Sequence, residues 1–79
     1  MPKNIPSLKP KELIRLLGFG GCLFLREGKG DHKIYFRFHE GKRRVVPIDM
    51  GANELSPPYV LRIFRQFGFT DDEIEGLLK

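Results

Sequence analysis

Apolar positions change their period several times along this chain, and each change is marked by glycine, proline or a capping residue. From Pro10 to Leu17 the spacing is helical. Proline suits a first helical turn because its missing N–H would find no intrahelical partner there. Leu13, Ile14, Leu16 and Leu17 form the apolar stripe, Lys11, Glu12 and Arg15 lie outside it, and Gly18, Gly20 and Gly21 end the helix. Phe19, between those glycines, is expected to fold back onto the core. Cys22 to Arg26 then reads as a short apolar strand, and Glu27-Gly28-Lys29-Gly30-Asp31 as a turn. From His32 to Phe38 the chain alternates, with Ile34, Phe36 and Phe38 on one face and Lys33, Tyr35 and Arg37 on the other. That pattern predicts a strand with its phenylalanine face on the core and Lys33, Tyr35 and Arg37 toward solvent.

His39-Glu40-Gly41-Lys42 makes a hairpin connection in which Gly41 can take a positive φ. The third strand, Arg43 to Met50, contains Pro47, which removes a ladder donor and predicts an edge strand or a bulge. Pairing Ile34 with Ile48 and Phe36 with Val46 keeps apolar residues on one face. That register is therefore expected over the one-residue slip that pairs Ile34 with Pro47. Ser56-Pro57 supplies an N-cap and a first-turn proline for a helix whose apolar side is Val60, Ile63, Phe64 and Phe67, stopped by Gly68. Thr70-Asp71-Asp72-Glu73 is a capping box opening a short helix with Ile74, Leu77 and Leu78 on its apolar side. The order is helix, three antiparallel strands, helix, short helix: an α+β domain whose helices cover one face of the sheet.

The chain has 79 residues, enough for one domain over residues 1–79 and too few for a second core. Hydrophobic residues make up 41%, too many for a disordered chain, and no apolar run reaches the roughly 18 residues of a membrane span. Met1 to Pro6 contains no apolar segment of signal-peptide length, and a single cysteine, Cys22, rules out an internal disulfide and points to a reducing, cytosolic setting. Cys22, in an apolar strand, reads as core, and two histidines with one cysteine are a poor set for zinc; no metal or cofactor is expected. The net charge of +4 hides an asymmetry. Residues 1–69 carry thirteen Lys/Arg against six Asp/Glu, a net of +7, and residues 70–79 a net of −3. The basic part can attract a polyanion such as nucleic acid.

Gly28-Lys29-Gly30-Asp31-His32-Lys33 carries the most chemistry. Glycines let backbone approach a phosphate, lysines add positive charge, and an imidazole titrates near neutral pH. Such a histidine can take a proton from a ribose 2′-hydroxyl or give one to a leaving oxygen. The alternative is an ordinary hairpin followed by an ordinary strand histidine. Arg26, Lys29, Gly30 and Lys33 are candidate phosphate contacts near His32, with Arg37, Arg43 and Arg44 further along the hairpin; Tyr35 is a candidate stacking ring for an unpaired base. His39 lies seven strand residues from His32, about 23 Å, and reads as a turn residue.

Gly18-Phe19, Gly30-Asp31-His32, Ile34-Tyr35, Val45-Val46-Pro47, Leu55-Ser56-Pro57 and Leu61-Arg62 with Arg65-Gln66 and Gly68 follow one another at compatible spacing. This ordered set resembles the HicA family of toxin ribonucleases over nearly the whole chain. The resemblance implies a double-stranded-RNA-binding-domain-like fold, metal-independent cleavage of messenger RNA, and neutralisation by a HicB-like antitoxin. It also implies that His32 is the catalytic histidine. This chain departs from the family at Asp31, where serine is common, and at Asp49, where many members carry a histidine; Asp49 is a possible orienter of the His32 ring. Two other functions stand beside this one: an RNA-binding module without catalysis, and an adaptor for an acidic protein. Duplex-binding domains usually carry lysines at the start of the last main helix, where this chain has Ser56-Pro57-Pro58-Tyr59.

Overall fold

The computed structural model describes residues 4–79; the expectation about the amino-terminal segment rests partly on residues 1–3, which lie outside them. The elements run α1 (Pro10–Phe19), β1 (Leu23–Glu27), β2 (His32–His39), β3 (Lys42–Asp49), α2 (Pro57–Gln66) and α3 (Asp71–Leu78). The strands form an antiparallel sheet in the order β1-β2-β3, so the α+β architecture is as expected and Pro47 lies on an edge strand. No helix among the described residues is long and apolar enough to cross a membrane.

Local signals account for the element ends. The Lys9 N–H donates to Glu12 Oε1 at 2.9 Å at the start of α1. Ser56 Oγ accepts from the Tyr59 N–H at the start of α2, and Thr70 and Glu73 form the reciprocal capping box of α3. The β2–β3 connection has positive φ at both central residues, Glu40 (52°) and Gly41 (77°), the geometry of a tight hairpin turn that follows the strand twist. Leu8 and Leu55 exchange two backbone hydrogen bonds, which fastens the chain entering α1 to the chain entering α2.

The core is built by Leu13 and Leu17 of α1, Val46 and Ile48 of β3, Val60, Ile63 and Phe64 of α2, Phe67 and Phe69 beyond it, and Ile74 of α3. Cys22 is buried among them.

Three expectations are corrected. The register is the slipped one: Ile34 pairs with Pro47, Tyr35 with Val46 and Phe36 with Val45. Since partners across a ladder share a face, β2 turns Lys33, Tyr35 and Arg37 toward the helices and His32, Ile34, Phe36 and Phe38 to the open side. Arg37 explains the inversion. Its side chain is only 14% exposed; Nη1 donates to the Phe67 carbonyl at 2.8 Å, its guanidinium lies 4.0 Å from the Phe69 ring centre, and Nη2 is 3.8 Å from Glu73. A planar cation with a carbonyl, a ring and a carboxylate around it is satisfied where a bare cation would not be. Phe19 likewise does not fold back: it is 73% exposed. Its expected place is taken by Phe69, whose ring lies so close to Gly20 that a Cβ there would meet it at 2.5 Å. β1 carries an irregularity between Phe24 and Arg26 that the apolar run did not announce.

Replacing Arg37 with alanine is expected to lower stability by about 2–4 kcal/mol, the sum of a charge-assisted hydrogen bond and a cation–ring contact. Phe38→Ala is expected to stay within about 0.5 kcal/mol of the parent. Urea unfolding of both variants checks this; the reverse ranking would restore the face assignment the alternation predicts.

Candidate functional site

The turn before β2 places the histidine. The Gly28 N–H donates to the His32 carbonyl at 2.8 Å and the His32 N–H to the Lys29 carbonyl at 3.2 Å, with Gly30 at φ 59° between them. The Met50 N–H donates to the Asp31 carbonyl at 2.8 Å, and the backbone at Gly51 passes so near Asp31 that a Cβ there would meet its carboxylate at 2.6 Å. The turn is thereby clamped to the end of β3.

His32 is exposed, and its Nδ1 lies 3.2 Å from the Lys29 carbonyl oxygen. A carbonyl only accepts, so this hydrogen bond assigns the proton of the neutral ring to Nδ1 and leaves the Nε2 lone pair as the basic site. Asp49 is the cross-strand partner of His32. The adjacent bond from Met50 to Asp31 makes the two a non-hydrogen-bonded pair, the closer kind, with Cα atoms about 4.5 Å apart. Asp49 is itself held: its Oδ1 accepts from the Gly51 N–H at 2.9 Å, and its own N–H donates to the Tyr59 hydroxyl at 3.1 Å. The slipped register therefore pairs Asp49 with His32 across the ladder, while the ring's Nδ1 is held by the Lys29 carbonyl and the Asp49 carboxylate by the Gly51 N–H.

The remaining candidates divide between the two faces. Lys29 and Gly30 lie exposed in the turn beside His32, and Arg26, the cross-strand partner of Ile34, is on the same open face. Arg43, the partner of Phe38, is exposed at the far end of that face. The other four depart from expectation. Lys33 lies on the helical side, its Nζ 5.9 Å from the Phe24 ring centre, at the edge of a cleft of about 700 Å³ that Lys9, Lys11 and Met50 also line. Tyr35 packs on the core and meets Phe24 edge-on at 5.5 Å; burial raises its phenol above the ordinary value, with Glu27 adding to the shift. Arg37 is committed to Phe67, Phe69 and Glu73. Arg44 is half-buried with its Nε shielded from solvent and without a hydrogen-bond partner among the described residues. Tyr35 is thus not an exposed stacking ring, and Arg37 is not free for a phosphate.

The open face supplies rings of its own. Phe38 is 67% exposed and meets Phe36 edge-on at 5.9 Å; Leu23 and Val45 flank them, 59% and 43% exposed. The sequence held one signal for this. Seven phenylalanines are more than so small a core takes, and only Phe64, Phe67 and Phe69 are buried. His39 lies at the other end of the hairpin as expected, but as the last residue of β2, paired with Lys42, and not in the turn: its Nε2 lies 2.9 Å from Glu40 Oε1, and its ring lies under Gly68.

Cys22 belongs to the core. Burial pushes its thiol up to about 12, against the lowering effect of Arg37, so it offers no thiolate nucleophile near neutral pH. An ordinary thiol releases its proton near 9.0. Between about 9 and 12 the unfolded chain therefore ionises first, and stability present below that window is lost as pH rises through it. Iodoacetamide at pH 8 is expected to leave the native thiol unmodified and to alkylate it in urea; rapid native alkylation would contradict its burial. No protein-family model matches the chain, and no curated protein matches it.

Proposed function

We propose that the protein is an endoribonuclease that cleaves messenger RNA without a metal, with His32 as the proton-transfer group, and that it acts as the toxin of a pair with a HicB-like antitoxin in the cytosol. The observation that carries the catalytic part is the state of His32. The ring is exposed at the end of a clamped turn, Nδ1 is taken by the Lys29 carbonyl, and Nε2 is left as the base, with the exposed Lys29 in the same turn and Arg26 on the same face of the sheet. The toxin role and the antitoxin rest on the resemblance of the ordered motifs to the HicA family, to which the α-β-β-β-α order also conforms.

RNA carries its own nucleophile, so the protein need only move a proton, hold the phosphate and offset charge. Nε2 of His32 takes the proton of the 2′-hydroxyl as the 2′-oxygen bonds to phosphorus. The bond from phosphorus to the 5′-oxygen breaks, the 5′-oxygen takes a proton from water, and a 2′,3′-cyclic phosphate remains. Lys29 and Arg26 bear on the phosphate. Positioned proton transfer is worth about 10²–10⁴-fold, roughly 3–5 kcal/mol, so a nuclease with one such group is slow. Slow cleavage suffices for an enzyme that attacks essential messages.

His32→Ala is expected to reduce cleavage of purified messenger RNA by about 10²–10⁴-fold with RNA affinity retained, and to relieve growth arrest on expression. Cleavage by the variant at the parent's rate would remove His32 from the mechanism. Salt-dependent RNA binding by the parent with no cleavage products would establish the non-catalytic binding module instead.

A further inference from the structure

We infer that the open face of the sheet is a platform on which unpaired RNA bases stack, with Phe38 and Phe36 as the rings and His32 at the end of the same row, so that the protein takes single-stranded rather than duplex RNA. This rests on the RNA-cleaving function proposed above and adds the substrate class and its binding surface.

The strand period carries the argument. His32, Ile34, Phe36 and Phe38 are alternate residues of β2 and so lie in one line on one face, spaced about 6.6 Å apart and spanning about 20 Å. That length suits a few nucleotides of extended strand, the scale on which sheet-face aromatics stack two or three bases. The bases would lie over Phe38 and Phe36, and the chain would pass Ile34 and bring a ribose–phosphate linkage to Nε2 of His32. Cations flank the row where the sugar–phosphate backbone would run: Arg43 across from Phe38, Arg26 across from Ile34, and Lys29 at the turn. Asp49, beside His32, is the acid on the paired positions of this face. The start of α2, Ser56-Pro57-Pro58-Tyr59, carries no lysine for a duplex backbone, and the guanidinium of Arg62 lies over the Tyr59 ring, 5.2 Å from its centre.

A second copy of the chain is a poorer occupant. The apolar part of the row, Ile34 to Phe38, covers two strand spacings by about 13 Å, a footprint on the order of 100 Å². Each partner in a stable protein interface contributes about 800 Å². A base stack needs only the rings, because every base has a π-face.

The experiment measures binding of the parent protein, Phe38→Ala and Phe38→Trp to a short unstructured 2′-O-methyl oligoribonucleotide by fluorescence anisotropy. That probe lacks the nucleophile and cannot be cleaved. Stacking is worth about 1–3 kcal/mol per base, so Phe38→Ala should weaken binding about 5- to 150-fold while Phe38→Trp keeps it. A duplex of the same length should bind more weakly and be indifferent to Phe38. Affinity for the single strand unchanged in Phe38→Ala, or a preference for duplex, overturns the inference. So does a parent dimer that Phe38→Ala dissociates without changing RNA affinity, which would make the face a protein interface. Cleavage of natural RNA by the parent is followed in parallel. Cleavage together with affinity indifferent to Phe38 removes the platform and leaves the nuclease; Phe38-dependent affinity without cleavage removes the nuclease and leaves the platform.

Discussion

The guanidinium of Arg37 decides which way β2 faces, and the candidate site follows from that choice. A strand has two phases, and a shift of one residue exchanges its entire set of side chains between core and solvent. Arg37 is drawn to the helical side by the Phe67 carbonyl, the Phe69 ring and the Glu73 carboxylate, groups at the end of α2 and the start of α3. Glu73 is prepared for this contact: its carboxyl is held below the usual range chiefly by the Thr70 N–H it caps, with the Arg37 charge adding to the effect. With Arg37 inward, Tyr35 packs on the core, and His32, Ile34, Phe36 and Phe38 are left on the open face. The hydrophobic gain from burying those phenylalanines is given up, and an aromatic surface in line with a histidine is what the fold holds in exchange.

Much of the fold was legible because its signals are local. Pro10, the Ser56-Pro57 pair, the Thr70–Glu73 box and the Glu40-Gly41 turn each act within a few residues, and each does in the structure what its chemistry dictates. The phase of β2 was not legible because its determinant lies thirty residues away, at Phe67. Alternation says that two faces differ; it does not say which is buried when one of them holds a tyrosine and an arginine whose long stems can cover apolar surface. The register error has the same root, since the phenylalanine face was expected to match Val46 and Ile48, which instead lie beneath Tyr35 and Lys33.

The site divides along the same line. His32, Lys29 and Gly30 were readable from one short turn, because a glycine-rich loop ending in a histidine places its parts by local geometry. Asp49 came to face His32 only through the slipped register, so its place depended on the strand phase. Tyr35 was expected on the exposed face, and Phe36 and Phe38 are the rings found there. Alternation sets Tyr35 on the strand face away from His32, so the rings that share the open face with the histidine are the neighbours of the one expected to stack.

The central claim is that β2 presents His32 and its phenylalanines together, on one open face, to single-stranded RNA. Aromatic proton–carbon NMR spectra recorded while an uncleavable oligoribonucleotide is titrated in test this residue by residue. The account predicts that the ring signals of His32, Phe36 and Phe38 move together and saturate at one affinity while those of Tyr35, Phe64 and Phe69 stay in place. Movement of Tyr35 with Phe38 and Phe36 unmoved, or of none of the open-face rings, would contradict it.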